Sequence, residues 1–379
     1  MHLLNNPKKI NNPDLKLRVL IAPLEWGLGH ATRCIPIITE LLLNKCEVFI
    51  AAESEIYYLL KDEFPTVNFL LLKGYDVKLS KHKVLLPWEI TGQFPKIIYA
   101  IYKENQWLNK RVKQYKIDAV ISDNRFGLYN KKLTCIYITH QLLIKTGNIF
   151  TDQIAQRIHY YFINKYHECW VPDFEKDNLA GELSHPVTIP KNVKYIGAFS
   201  RFNRIEETVK TYDVLMILSG PEPQRTIFEK ILLNNLVTFN RRALLVRGLP
   251  GHDKIIQSEN SSVEIINHLS GEELGKVIQQ SEIVISRSGY TTIMDLIKLN
   301  KKAILVATPG QTEQEYLAHY LMKKKIFFCV DQKKFNLNET LKKFQDLSFS
   351  LPVFNMEQYK SVIQEFVQSL NIKNRHAQS

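Results

Sequence analysis

The chain has 379 residues, 45% of them apolar and 23% charged, which excludes a disordered or fibrous protein and leaves room for about two domains with cores of their own. Five cysteines, an odd number with no C-x-x-C spacing, exclude a disulfide framework and fit a thiol-reducing compartment. Fifty Lys plus Arg against 38 Asp plus Glu leave a formal charge of +12, which favours an anionic partner without saying whether it is a nucleic acid, an acidic membrane face or a phosphorylated substrate.

The opening residues MHLLNNPKKINNPDLK lack the apolar run of a signal peptide, and no later stretch approaches the roughly 20 apolar residues of a membrane span, so a cytoplasmic protein is expected. From Leu17, LRVLIAP, a Gly-rich turn, the helical CIPIITELLLNK and the strand CEVFIAA form a βαβ unit. VNFLLL, a helix from Gln93 to Tyr115, and the strands DAVISD and TCIYIT continue the alternation, which implies a largely parallel sheet covered by helices. After the strand KYIGAFS and the polar RFNRIEETVKTY, a second cycle opens with DVLMILSG, PEPQRTIFEKILLNN, RALLVRG and VEIINHLS. A helix from Glu272 to Gln280, the strand EIVISRS, a helix from Tyr290 to Leu299, the strand KAILVAT and a helix after Gln311 follow. The expected fold is therefore α/β, with two Rossmann-like doubly wound domains at 16–200 and 211–350. A C-terminal helix at 351–379 is expected to pack back on the first domain. Such sheets bind ligands at the carboxyl ends of their strands, which places the site in the cleft between the domains.

The candidate residues lie where that rule puts them. APLEWGLGHATRCIPI sets Gly27, Gly29 and His30 between a strand and a helix. Glycine permits a tight turn there, amides at the helix start face a ligand, and a neutral imidazole can take a proton from an attacking hydroxyl, or it can simply cap the helix. Arg33, one turn on, either contacts an anionic acceptor or lies on the surface. SDNRFG brings Asp123 and Arg125 to the cleft, and YITHQLL brings His140 and Gln141. Asp123 is an alternative base to His30, or a turn former.

In the second half, the strand DVLMILSG ends at Ser219 and Gly220, and a helix begins after Pro223. Arg225 then falls in the first helical turn, where the dipole disfavours a cation, which fits an intervening phosphate; an ordinary Pro-rich turn is the competing reading. EIVISRS runs through Gly289 into YTTIMDLIKLN, presenting the amides and hydroxyls from Ser288 through Tyr290 and Thr291 to Thr292. Asp295, one turn beyond Thr291, can accept both hydroxyls of a ribose. After KAILVATPG, the side chains of Gln311, Glu313, Gln314 and Glu315 can bond sugar hydroxyls.

The block ISRSGYTTIMDLIKLNKKAILVATPGQTEQEYLA resembles the donor-binding segment of GT-B glycosyltransferases. It is most similar to the family that contains the peptidoglycan lipid-intermediate N-acetylglucosaminyltransferase (MurG), of glycosyltransferase family 28. The resemblance implies a GT-B architecture, with Ser288 and Gly289 on the nucleotide diphosphate, Asp295 on ribose, and Gln314 with Glu315 on the donor sugar. Glu315 stands where the family has a second Gln. SGPEPQR stands where the family has a Gly-rich loop ending in Arg, and GLGH where it has one ending in His. Leu269 occupies the place where the family's backbone reads uracil, implying a UDP donor.

The stretch from Lys73 to Lys116 mixes basic residues with Tyr75, Trp88, Phe94, Tyr99, Tyr102 and Trp107. That composition suits an anionic membrane surface and a lipid-linked acceptor, although helical spacing also suits core aromatics, the preferred reading for most of them. No metal site, no cofactor and no nucleic-acid partner is expected. The expected reaction is transfer of a hexose or N-acetylhexosamine from a UDP-sugar to an acceptor hydroxyl with inversion. A UDP-sugar hydrolase or epimerase, and a noncatalytic UDP-sugar-binding subunit, are the alternatives.

Overall fold

A computed structural model describes residues 16–75, 86–145, 149–206, 208–251, 254 and 256–378, with side chains described in the same segments apart from 86–94, 149–150 and 374–378. The first half runs β1 (Arg18–Pro23), α1 (Leu28–Leu43), β2 (Glu47–Ala52), α2 (Ser54–Glu63), β3 (Asn68–Leu71), α3 (Leu86–Tyr115), β4 (Ala119–Asp123), β5 (Thr134–Ile138), α4 (Ile149–Ile163), β6 (Glu168–Val171) and β7 (Val193–Tyr195). The second runs β8 (Tyr212–Ile217), α5 (Gln224–Leu236), β9 (Ala243–Val246), β10 (Val263–Ile266), α6 (Gly271–Gln280), β11 (Ser281–Ser286), α7 (Tyr290–Lys298), β12 (Ala303–Leu305), α8 (Thr312–Lys323), β13 (Phe328–Cys329), α9 (Leu337–Gln345) and α10 (Gln358–Gln378).

The strands form two parallel sheets, ordered β3-β2-β1-β4-β5-β6-β7 and β10-β9-β8-β11-β12-β13. Each is wound outward in both directions from its first strand, so the order reverses between β1 and β4 and again between β8 and β11. Ligand crevices open at such reversals. The central strands read as continuous apolar runs because both faces are covered. In β1, Val19 and Ile21 pack under α1, while Leu20 and Ala22 join a separate cluster with Leu108 of α3 and Ile163 of α4 on the opposite face.

The chain ends by returning to the first sheet. Along α10, Tyr359, Val362, Ile363, Phe366, Val367 and Leu370 recur at helical spacing and bury against Ile35, Ile38 and Trp170. Between the sheets, Phe174, Leu183 and Phe202 share a core with Ile293, Met294 and Leu317 of the second half. The two halves therefore meet through apolar packing as well as through the cleft.

Several elements differ from the sequence expectation, among them α3, which begins at Leu86 and not at Gln93. Helix α1 starts at Leu28, not near Cys34, because Gly27 alone takes the turn, at a φ of 99° that side chains rarely adopt. Gly29 and His30 are thereby in the first helical turn and not in a loop. KYIGAFS pairs only over its first residues, the rest forming the connection between domains, and α4 with β6 fills the stretch between His140 and Lys191. Among the described residues, no helix is long and apolar enough to cross a membrane, and the five cysteines are free thiols.

Candidate active site

Asp123 is the last residue of β4 and is in register with Pro23, the last of β1, so its carboxylate stands at the reversal point of the first sheet. It is fully buried, and the first two turns of α1 supply its partners. Arg33 Nε donates to Oδ2 at 2.9 Å, Arg33 Nη2 donates to Oδ1, and His30 Nδ1 lies 2.8 Å from Oδ1. Burial alone would raise this acid, but the Arg33 guanidinium and His30 outweigh it and hold Asp123 well below the usual carboxylate range. Burial likewise pushes the neighbouring Cys34 thiol well up, so that residue is an inert donor to Asp123.

The geometry fixes the tautomer of His140. An arginine can only donate, and Arg33 Nη1 is 3.0 Å from His140 Nδ1, so that nitrogen carries a lone pair and the His140 proton sits on Nε2. That proton points at Glu313 Oε1, 2.7 Å away in the first turn of α8. His30 Nδ1 lies 2.8 Å from the ionised Asp123 Oδ1 and 3.0 Å from Arg33 Nη2; with its proton given to the nearer carboxylate, Nε2 keeps a lone pair, on a side chain 17% exposed. Such an imidazole, oriented by a carboxylate behind it, is equipped to remove a proton from a hydroxyl.

The opposite wall comes from the second sheet. Gly289 caps α7, and Thr291 Oγ1 crosses to donate to Gly29 O at 3.1 Å, which brings the starts of α1 and α7 together. Tyr290 stacks flat on His140, with ring centroids 4.4 Å apart and planes 5° apart, and its hydroxyl donates to Pro172 O. Ser288 Oγ donates to Gln314 O. Gln314 Oε1 receives the Thr308 amide, and Glu315 Oε1 receives the Gly310 amide, so these side chains shape the turn after β12. Gln311, the N-cap residue of α8, accepts from Gln314 Nε2. Asp295 accepts from Ser200 Oγ in the interdomain connection, beside Arg201.

Beneath this wall lies a residue the sequence reading did not single out. Arg287 is 1% exposed and donates to the carbonyls of Val306, Ala307 and Gln224, with its guanidinium 4.4 Å above the Phe228 ring centre. No carboxylate among the described residues pairs with it, its Nε finds no acceptor, and burial pulls the group down to about 10. It links β11, β12 and the start of α5, next to the turns that carry Ser219, Gly220 and Ser288. A cation held there without an acid favours an anion at those ends. Its only sequence signal was a charge at the close of an apolar strand.

Other candidates lie elsewhere. Arg125 is 1% exposed and turned into the first domain, bonded to Glu104, Glu25 and the carbonyl of Lys73, with the Tyr75 hydroxyl also on Glu104. Its four-sided burial keeps it from an acceptor. Gln141 is half-buried, its amide on Thr139 Oγ1. Ser219 and Gly220 are exposed after β8, with Gly220 at a φ of 97°. Arg225 is buried against Glu222 at 2.6 Å and near Glu229, so carboxylates, without a phosphate, already account for a cation in that first turn. Leu269 is half-buried against the core of the second sheet. Of the aromatic stretch, Tyr75 is buried and Trp107 half-buried, whereas Tyr99 and Tyr102 are exposed beside Ile98 on α3; Trp88 and Phe94 lie outside the described side chains.

Residues 251–369 match the family described as the glycosyltransferase family 28 C-terminal domain. That span takes in Ser288, Gly289, Asp295, Gln314 and Glu315, but not the loop at Ser219. No curated protein matches the chain by sequence. Solved structures similar to it include the glycotransferase of kitacinnamycin, at 11% identity and a TM-score of 0.60, covering 94% of this chain and 96% of that one. The spinosyn rhamnosyltransferase SpnG is similar at 12% identity and a TM-score of 0.57, covering 94% and 96%. The MurG of Acinetobacter baumannii is similar at 12% identity and a TM-score of 0.51, covering 94% of each chain. The fold is thus the two-domain GT-B architecture, and the family match over residues 251–369 supports a glycosyltransferase.

Proposed function

We propose that the protein transfers a sugar from a UDP-sugar to an acceptor hydroxyl by a single inverting displacement. The observation that carries this reading is the His30 imidazole, held 2.8 Å from the buried Asp123 carboxylate on a helix whose first turn Thr291 ties to the start of α7. His30 Nε2 takes the acceptor hydroxyl proton as the oxygen attacks the anomeric carbon. The bond from that carbon to the diphosphate breaks on the far side, and UDP leaves with the electron pair. Amides at the start of α7, Ser288 and the field of Arg287 favour the departing charge. Gln311, Gln314 and Glu315 hold the donor sugar, and Leu269 lies against the base. The acceptor enters from the first domain, past Gly27, Gly29 and His140. The exposed Tyr99 and Tyr102 of α3, with Lys103 against Tyr99, suit a lipid-linked acceptor at an anionic membrane surface.

The test is a thermal-shift series with UDP, GDP, TDP and UDP-sugars, followed by product analysis. UDP at about 100 times its Kd should stabilise the fold by about 2.7 kcal/mol, the others by less. No shift with any nucleotide would sink the reading. Free sugar or an altered UDP-sugar, with no glycosylated acceptor, would favour a hydrolase or an epimerase, and binding without turnover a noncatalytic subunit.

Asp295 gives this proposal a pH signature. Burial raises its carboxyl from an ordinary 3.8 to about 6, against the opposing pull of Arg201 and the Ser200 hydroxyl. Without ligand, the folded protein holds this proton through a range where the unfolded chain has lost it, so the group subtracts stability as pH rises through about 6. Ribose hydroxyls donate to the ionised form, so UDP affinity should rise as pH climbs through about 6 and level off above it. Titration calorimetry between acid and neutral pH should show that rise, and Asp295→Asn should flatten it.

A further inference from the structure

His140 belongs to the first domain, yet the second domain holds it on two sides. The Tyr290 ring lies flat against it at 4.4 Å, and Glu313 accepts its Nε2 proton at 2.7 Å. On its other nitrogen it accepts from Arg33, which in turn grips both oxygens of Asp123, the carboxylate that orients His30. Arg33 is the donor to both branches of this path. Glu313 accepts from His140, His140 accepts from Arg33, and Asp123 accepts from both Arg33 and His30. Reversing any member would leave two donors or two lone pairs facing each other.

Both clamps stand next to groups given to the donor. Tyr290 follows the Ser288-Gly289 turn, and Glu313 precedes Gln314, whose side chain and carbonyl fix the Thr308 amide and the Ser288 hydroxyl. Resting on the proposed transfer reaction, we propose that Glu313 and Tyr290 are positioning residues that, through His140, Arg33 and Asp123, make the orientation of the His30 base depend on the donor domain closing over the cleft. Neither residue reaches the reacting atoms. An open cleft leaves His140 free to turn, and Arg33 then loses its third acceptor. His30 thereby meets an acceptor in the productive geometry only when the donor wall is in place, which discourages proton removal in an empty site.

The test uses the full chain with Glu313→Ala and Glu313→Gln, since a glutamine carbonyl can still accept from His140 Nε2. UDP release from UDP-glucose and UDP-N-acetylglucosamine and UDP affinity are measured for each variant. In protein labelled with 15N at histidine, the ring nitrogens are followed by NMR. Loss of positioning should lower kcat roughly 10–100-fold in Glu313→Ala with UDP affinity unchanged. Glu313→Gln should recover most of it. The ring resonances of His30 should move in Glu313→Ala although Glu313 bonds to His140 and not to His30. Wild-type kcat in Glu313→Ala, or no recovery in Glu313→Gln, would overturn the proposal. If the wild type shows no thermal shift with any nucleotide, the transfer reading fails; if it releases UDP from neither sugar nucleotide with no acceptor present, the His30 resonances alone decide the positioning path: unmoved, they overturn it.

Discussion

Asp123→Asn should unfold this protein more readily than any other single change in the cleft, by about 3–5 kcal/mol, and should also cost on the order of 10⁴ in kcat. The stability loss follows from Arg33, which is 2% exposed and has Asp123 as its only carboxylate contact among the described residues. Removing that charge leaves a guanidinium buried against a neutral imidazole. An asparagine cannot restore the hydrogen bonds either. Arg33 donates to both oxygens, so either orientation of the amide points its NH2 group at an Arg33 N–H. In one of the two, the same NH2 faces His30 Nδ1, which moves the imidazole proton to Nε2 and removes the base. Because Asp123 is held below its ordinary 3.8, the stability it contributes is present above that value and drains away as pH falls below it. Urea denaturation at neutral pH should therefore show the full deficit of the variant, and the deficit should shrink in acid. Equal stability of the two proteins at neutral pH would contradict the burial argument.

Much of the architecture was legible because its signals are local. The apolar runs of β1, β4, β8 and β11, and the turn and helix that follow β11, need only a few neighbouring residues to be read. The site was legible as a set of strand ends, but the roles within it were not. Asp123 reads equally well as base, turn former or partner until the sheet order places it beside β1, about a quarter of the chain from His30. Arg33 and Arg125 are the same residue type near the same strand ends. What separates them is a distant acid, Asp123 for one and the buried Glu104 of α3 for the other. Arg225 is a different lesson. Its partner Glu229 lies four residues on, a spacing that places two side chains on one helix face, so the ion pair was readable without a structure. Arg287 was hidden because nothing in a sequence says that a charge at a strand end will find only carbonyls around it.

His30→Ala separates chemistry from architecture, and its contrast with Asp123→Asn identifies the base. The side chain is 17% exposed and hydrogen-bonds only as a partner to groups that Arg33 already satisfies, so its removal leaves Asp123 neutralised and the fold intact. UDP affinity and denaturation midpoint should stay at wild-type values while kcat drops roughly 10²–10⁴-fold, the range expected when a positioned base is lost. The alternative base, Asp123, is a poor one on physical grounds. It is fully buried, both oxygens already accept from Arg33, and its lowered pKa makes it a weak proton acceptor. If His30→Ala turned over normally while Asp123→Asn did not, that argument would fail and the carboxylate would have to reach the acceptor itself. If His30→Ala lost turnover while binding UDP and melting normally, the imidazole performs the deprotonation, and Asp123 acts by fixing which of its nitrogens carries the proton.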